Sequence, residues 1–344
     1  ISGDLNPTGS GILEIDASSG GVHNFNAGSA VTGDGTFQIA FGTVNFNDTH
    51  AIAPTFSFTN GTVNVLGTLN ANGLFNWSNG TLANTGTFNA NGTVSFLTGS
   101  NKIVEGPTFN MASAGTLVDG YIYLGGGSVF NLQDLQTLTV TDGGPNGFLR
   151  YSIQTGETEP VVNLIGALTK GGTSTGVTAV DVVTNLSGTV NVPVGSVDMG
   201  WNSVVTGTLN PTGSGIVEID NSSGGAHNFN AGSTVTGDGT FQISSGTTNF
   251  NDTHAIAATF AFTFGTVNLF GTVDANGPFN WNAGTLANVG TLNANGTANF
   301  GTSSNRIMQG PTLNIESDGT WADGGFGMDA GSVINLAAGN TLTV

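Results

Sequence analysis

Cysteine is absent from all 344 residues, which excludes a disulfide framework, a thiolate metal site and a cysteine nucleophile. Cations are nearly absent: Lys and Arg total 4 against 22 acids, a formal net charge of −18. So few cations cannot neutralise a phosphate backbone or hold the chain to anionic lipid, and the expectation is no nucleic-acid partner. Charged residues of both signs reach only 8%, against roughly 25% in typical soluble chains. The polar surface must therefore be made of Thr, Asn and Ser. No apolar run approaches the ~20 residues of a membrane-spanning helix, so no membrane insertion is expected in this segment. No window sustains the i, i+3, i+4, i+7 spacing of an amphipathic helix. The chain opens on Ile1 with neither Met nor signal peptide, and reads as a piece of a longer precursor.

What is present is glycine, 56 residues of it, and a hydrophobic share of 38%. That share is too high for disorder, and no strict G-X-Y period marks collagen. From Gly42 the sequence falls into lines of 19: GTVNFNDTHAIAPTFSFTN, GTVNVLGTLNANGLFNWSN from Gly61, GTLANTGTFNANGTVSFLT from Gly80. Three columns stay apolar, through Val44, Val63 and Leu82, then Phe56, Phe75 and Val94, then Phe58, Trp77 and Phe96. A fixed period near 20 without helix-forming composition is the mark of stacked rungs. The expected fold is all-β, a parallel β-helix (β-solenoid) with roughly triangular three-strand rungs of about 19–22 residues.

In the Gly61 rung, alternation puts Thr62 and Asn64 outside and Val63 and Val65 inside. Gly67 and Gly73 fall at corners, where a positive φ would call for glycine. Upstream, His23–Phe41 fits as another rung and Gly11–Asp16 as a strand. Downstream the period loosens towards 21 or 22, and Gly125–Gly127 reads as a wide corner.

A second period is longer. Leu5–Val140 aligns with Leu209–Val344 at an offset of 204 without a gap, and 93 of the 136 positions are identical. Residues 1–204 are read as one complete solenoid unit, with regular rungs over 1–140 and irregular, loop-rich rungs over 141–204. Residues 205–344 are a partial second copy. At 19 to 22 residues per rung, a unit would hold roughly ten rungs and rise about 48 Å. The irregular part carries Arg150, Glu157, Glu159 and Lys170, with loops at TDGGPNG and KGGTSTG.

Several groups carry possible chemistry. Asp48-Thr49-His50, repeated as Asp252-Thr253-His254, could serve general acid–base work. However, His50 shares a column with Val31, Leu69 and Phe88, which makes it a core histidine satisfied by backbone. Glu14 and Asp16 are a candidate pair of carboxylates of the glycosidase kind. β-Helical polysaccharide lyases and polygalacturonases cluster Asp on one face and grip acidic sugars with Arg or Lys. Here Lys102, Arg150 and Lys170 lie in separate segments and no Asp cluster exists, so no enzyme is expected. Asp34 and Asp119 are isolated corner acids, too few for the six or more oxygens calcium takes. Thr43, Thr62 and Thr81 form an outward ladder, as do Thr49, Thr68 and Thr87. Flat Thr arrays can bind ice, but the partner here is Asn, which favours a polar ladder. Asn70 over Asn89 and Asn72 over Asn91 would hydrogen-bond between rungs. These readings leave no catalytic, cofactor or metal residue.

The stretch GTLNANGLFNWSNGTLANTGTFNANG resembles the repeat-rich β-helical passengers of bacterial surface proteins, the filamentous-haemagglutinin-like and autotransporter adhesins. The resemblance implies secretion, an extracellular or cell-surface location, and a shaft with adhesive or matrix roles. Close similarity between the two copies favours a repetitive filament whose main partner is itself, by end-to-end or tandem stacking of units. Surface glycans or proteins are the other expected partners, reached through loops in 141–204.

Overall fold

The computed structural model describes residues 1–18, 20–97, 101–141, 148–151, 157–173, 175–221, 224–301 and 306–344. These residues form a parallel β-solenoid with three parallel sheets. The chain divides into two compact units, Ile1–Val183 and Thr184–Val344. That division is one of packing, while the 204-residue repeat is one of sequence.

One turn of the first unit shows the design. Thr62–Val65, Thr68–Ala71 and Phe75–Trp77 each belong to a different sheet. Each pairs in parallel with the strand one turn later: Val63 lies opposite Leu82, Leu69 opposite Phe88, and Phe75 opposite Val94. The strands alternate between half-exposed and buried positions, so Val63, Val65, Leu69, Ala71, Phe75 and Trp77 fill the interior. A single turn cannot bury those side chains, since its neighbours above and below supply the rest of the core. Burial of each Phe contributes roughly 1.5–3 kcal/mol. Register stacks like on like: Phe88, Phe109 and Phe130 have ring centroids 5.2 and 5.3 Å apart in nearly parallel planes. The second unit repeats the scheme, with Phe262 stacked on Trp281 at 5.7 Å.

Turn length follows the chain's spare residues. Partners of the outer Asn columns lie 19 residues apart at Asn45 and Asn64, 21 at Asn110 and Asn131, and 32 at Asn131 and Asn163. The longest turn carries the irregular segment, and Val161–Leu164, Ala167–Lys170 and Val177–Asp181 then resume the three-strand pattern. Most of the TDGGPNG loop, residues 142–147, lies outside the described residues, as does Ser174 of KGGTSTG.

Two details correct the sequence reading. Gly67 and Gly73 do not have positive φ. A Cβ on Gly67 would lie 2.6 Å from the Asp48 carbonyl oxygen, and one on Gly73 2.3 Å from that of Pro54. Glycine is required there by the backbone of the preceding turn, whereas positive φ occurs at the strand entries Gly42, Gly61 and Gly80. The second correction concerns Val31, which sits opposite Ile52 and not in the His50 column. Leu69 and Phe88 do share that column with His50.

Candidate functional site

His50 is buried, as its column requires. Its Nδ1 lies 3.3 Å from Ser29 Oγ and 3.2 Å from the Ser29 carbonyl oxygen, while Nε2 has no hydrogen-bond partner. Backbone satisfaction therefore holds for one ring nitrogen only. Asp48 does not complete a dyad, because its carboxylate accepts the Thr49 N–H at 2.8 Å. In the second copy His254 Nδ1 lies 2.9 Å from Ser233 Oγ, and the Asp252 N–H donates to Nε2 at 3.3 Å. A third pair joins His227 Nδ1 to Ser203 Oγ at 2.8 Å. Burial pushes the His227 pKa down from 6.5 to about 4, opposed by Asp220. Burial also lowers that of His254, opposed by the Ser233 backbone and Asp252. These Ser–His pairs have the atoms of a nucleophile and its base. The His50 and His254 rings lie against phenylalanines, His50 edge-on to Phe25, and all three histidines are buried.

The other sequence candidates hold structural bonds. Glu14 accepts from Gln38 Nε2 at 2.6 Å, mirrored by Glu218 and Gln242 at 3.0 Å. Asp16 accepts the Ser18 N–H at 2.9 Å. Asp34 accepts the Gly9 N–H at 2.8 Å and Asp119 the Gly120 N–H at 2.6 Å. Among the described residues no three His, Asp or Glu gather as a metal site. The polar ladders are present. Asn89 donates to Asn70, Asn110 to Asn89 and Asn131 to Asn110, at 2.7–2.8 Å, and Asn91 donates to Asn72 at 2.8 Å. Thr43, Thr62 and Thr81 stand in register.

The structure brings forward two groupings that the sequence did not draw together. The first is a pair of buried cations at equivalent repeat positions. Lys102 starts the strand Lys102–Glu105, opposite Gly80 and Ile122 in an inward column. It is fully buried and its Nζ has no hydrogen-bond partner. Burial lowers its pKa from 10.5 to about 8, against the pull of Asp119. Arg306 replaces it 204 residues later, equally buried but bonded. Its Nε donates to the Trp281 carbonyl at 2.8 Å, Nη1 to that of Asp323 at 3.1 Å, and Nη2 to those of Asp323 and Gly301. Its guanidinium carbon also lies 5.7 and 5.5 Å from the ring centres of Phe300 and Phe326. Lys170 is the third buried cation, donating to Thr178 Oγ1 at 3.2 Å. Period-2 alternation from the inward Val104 carries Lys102 inside, and that signal was legible beneath the usual exposure of lysine.

The second group is on the outer surface. Of the chain's four cations, only Arg150 has a partly exposed side chain, at 35%. Register aligns Ile103, Tyr123, Arg150 and Asp181 across four successive strands. Arg150 lies 5.1 Å from the centre of the Tyr121 ring and 3.6 Å from the Asp181 carboxylate. The Tyr121 and Tyr123 rings are 5.6 Å apart and tilted by 39°. Beside them, burial and the neighbouring Glu157 raise the pKa of Glu105, and Glu157 accepts the Gly126 N–H at 3.2 Å. Positions 121 and 123 are Gly325 and Gly327 in the second copy, and position 105 is Gln309. There Phe326–Met328 is the last strand of its sheet in this sequence, and a groove of about 500 Å³ lies against it, lined by Ile307, Gln309, Gly325, Phe326, Gly327 and Asp329.

No protein-family model, curated protein or solved structure matches this chain. The β-solenoid fold therefore rests on the chain's own register. No helix among the described residues is long and apolar enough to cross a membrane.

Proposed function

We propose that the chain is a structural segment of a long secreted β-solenoid filament or stalk, built from tandem 204-residue units. Its setting is the cell surface or an extracellular matrix, and its principal partner is another copy of the unit. The observation that carries this reading is the gap-free duplication of rung grammar, 93 identities in 136 aligned positions. Register ladders give most outward Asn and Thr positions a role between turns. A surface so occupied has the chemistry of pairing and packing. The resemblance to filamentous-haemagglutinin-like and autotransporter passengers supports the same role, as does the low charge.

Electron microscopy of the complete natural protein, purified from its source, tests the proposal. Filaments or stalks with a repeat set by the 204-residue unit are the expected image. Isolated globular particles would overturn it.

A further inference from the structure

Among the described residues of the first unit, Thr and Asn ladders recur on the outer face at turn-to-turn register, and one cluster of aromatic and charged side chains departs from them. There two tyrosines, the partly exposed arginine and three carboxylates replace the polar ladder. The aligned copies are identical at 93 of 136 positions, yet at this place Tyr121, Tyr123 and Glu105 become Gly325, Gly327 and Gln309. Pairing with the preceding turn does not require the tyrosines, because the second copy forms it with glycine: Ile103 pairs with Tyr123, and Ile307 with Gly327.

We infer that the outer face formed by Tyr121, Tyr123, Arg150, Asp181 and Glu105 is a binding site for an uncharged, pyranose-based glycan. A sugar ring presents axial C–H groups on its face and hydroxyls around its edge. The first match an aromatic ring and the second match planar polar groups with fixed donors and acceptors. Tyr121 and Tyr123, two residues apart on one turn, supply two rings 5.6 Å apart and tilted by 39°. Arg150 has one side toward Tyr121 and its Nε 3.6 Å from Asp181, an ion pair without a hydrogen bond, so the Nε donor is unused. Glu105 and Glu157 provide further acceptors, and Gly125 leaves room for Glu105: a Cβ there would lie 2.7 Å from its Oε2.

Charge selects among glycans. Asp181 balances Arg150, and Glu105 and Glu157 add negative charge on a chain whose net charge is −18. A polyuronate or sulfated chain is repelled, and a neutral one is not. This site is independent of the filament proposal, since it needs one folded unit and no assembly.

The test uses the full chain and isothermal titration with neutral hexasaccharides of β-1,3-glucose, β-1,4-glucose and β-1,4-N-acetylglucosamine, with hexagalacturonate as the acidic probe. At least one neutral probe should bind, and hexagalacturonate should bind at least tenfold more weakly. The double variant Tyr121→Gly, Tyr123→Gly borrows the second copy's own residues. It should weaken that binding tenfold or more with an unchanged circular dichroism spectrum. Arg150→Gln gives an independent readout, with an expected loss of about fivefold. Failure of every neutral probe at millimolar concentration would overturn the inference. So would undiminished binding by the glycine variant, or tyrosine-dependent self-association without sugar binding.

Discussion

Lys102 and Arg306 occupy one repeat position and solve its problem differently. Both are fully buried at the start of an equivalent strand. Arg306 reaches the carbonyls of Trp281, Gly301 and Asp323 with its guanidinium fork. Lys102 has a single ammonium, which finds no hydrogen-bond partner. A planar fork with five donors can serve carbonyls on several turns at once, whereas an ammonium is a point charge on a flexible stem. The same fold therefore stores a satisfied cation in one copy and an unsatisfied one in the other. Just outside, the copies diverge again, with Tyr121 and Tyr123 in the first and Gly325 and Gly327 in the second. Differences between the copies fall on core columns too, as at Phe88 and Leu292 or Phe109 and Leu313.

Breaking the satisfied site should have the largest effect. Arg306→Leu leaves buried carbonyls without their donor and should cost about 3 kcal/mol in urea unfolding. A neutral result would mean that the carbonyls find other donors.

Lys102→Met should move stability the other way, a gain on the order of 1 to 3 kcal/mol at pH 7, because it removes an uncompensated buried charge. The gain depends on pH. The folded pKa of about 8 lies below the ordinary 10.5, so the unfolded chain holds more protons between those values. Stability of the parent should rise as pH climbs from 8 to 10.5, and the Lys102→Met variant should lack that increment. Parallel melting curves at pH 7 and pH 10.5 decide the point.

The histidines give the acid counterpart. His227 is buried with a pKa near 4, while its repeat equivalent His23 is only half-buried. Its folded pKa lies below 6.5, so its stability contribution is intact above 6.5 and declines as pH falls towards 4. His227→Gln should flatten part of the loss of stability over that window. Unchanged curvature between pH 6.5 and 4 would assign the acid response to other groups.

The smallest effect tests where the copies should agree. Asn89→Leu and Asn293→Leu remove equivalent ladder rungs, bonded to Asn70 and Asn110 in one copy and to Asp274 and Asn314 in the other. Each should cost about 1 kcal/mol, and the two values should match closely. Unequal costs would show that Asp274 makes the second ladder differ.

Much of the architecture was legible because a solenoid writes its contacts at a fixed period. The Val44, Phe56 and Phe58 columns stand in register as the 19-residue lines set them. The Asn70–Asn89 bond follows from the same lines. Val31 slipped to Ile52 because its strand has shrunk to an isolated bridge with little alternation to read. The reason for glycine at Gly67 and Gly73 was also hidden, since the obstacle is a carbonyl from another turn. The candidate site was harder still: Tyr121 and Arg150 are 29 positions apart, across an irregular turn whose length no period specifies.

By itself the sequence determined the rung, the three faces, the inward columns and the 204-residue duplication, because each is a periodicity of side-chain character. Only the tertiary structure decided which glycines answer to a neighbouring backbone, which cations are satisfied, and that Tyr121, Tyr123, Arg150 and Asp181 share one face. Those depend on distances between turns, and chain spacing sets such distances only where the turns are of equal length.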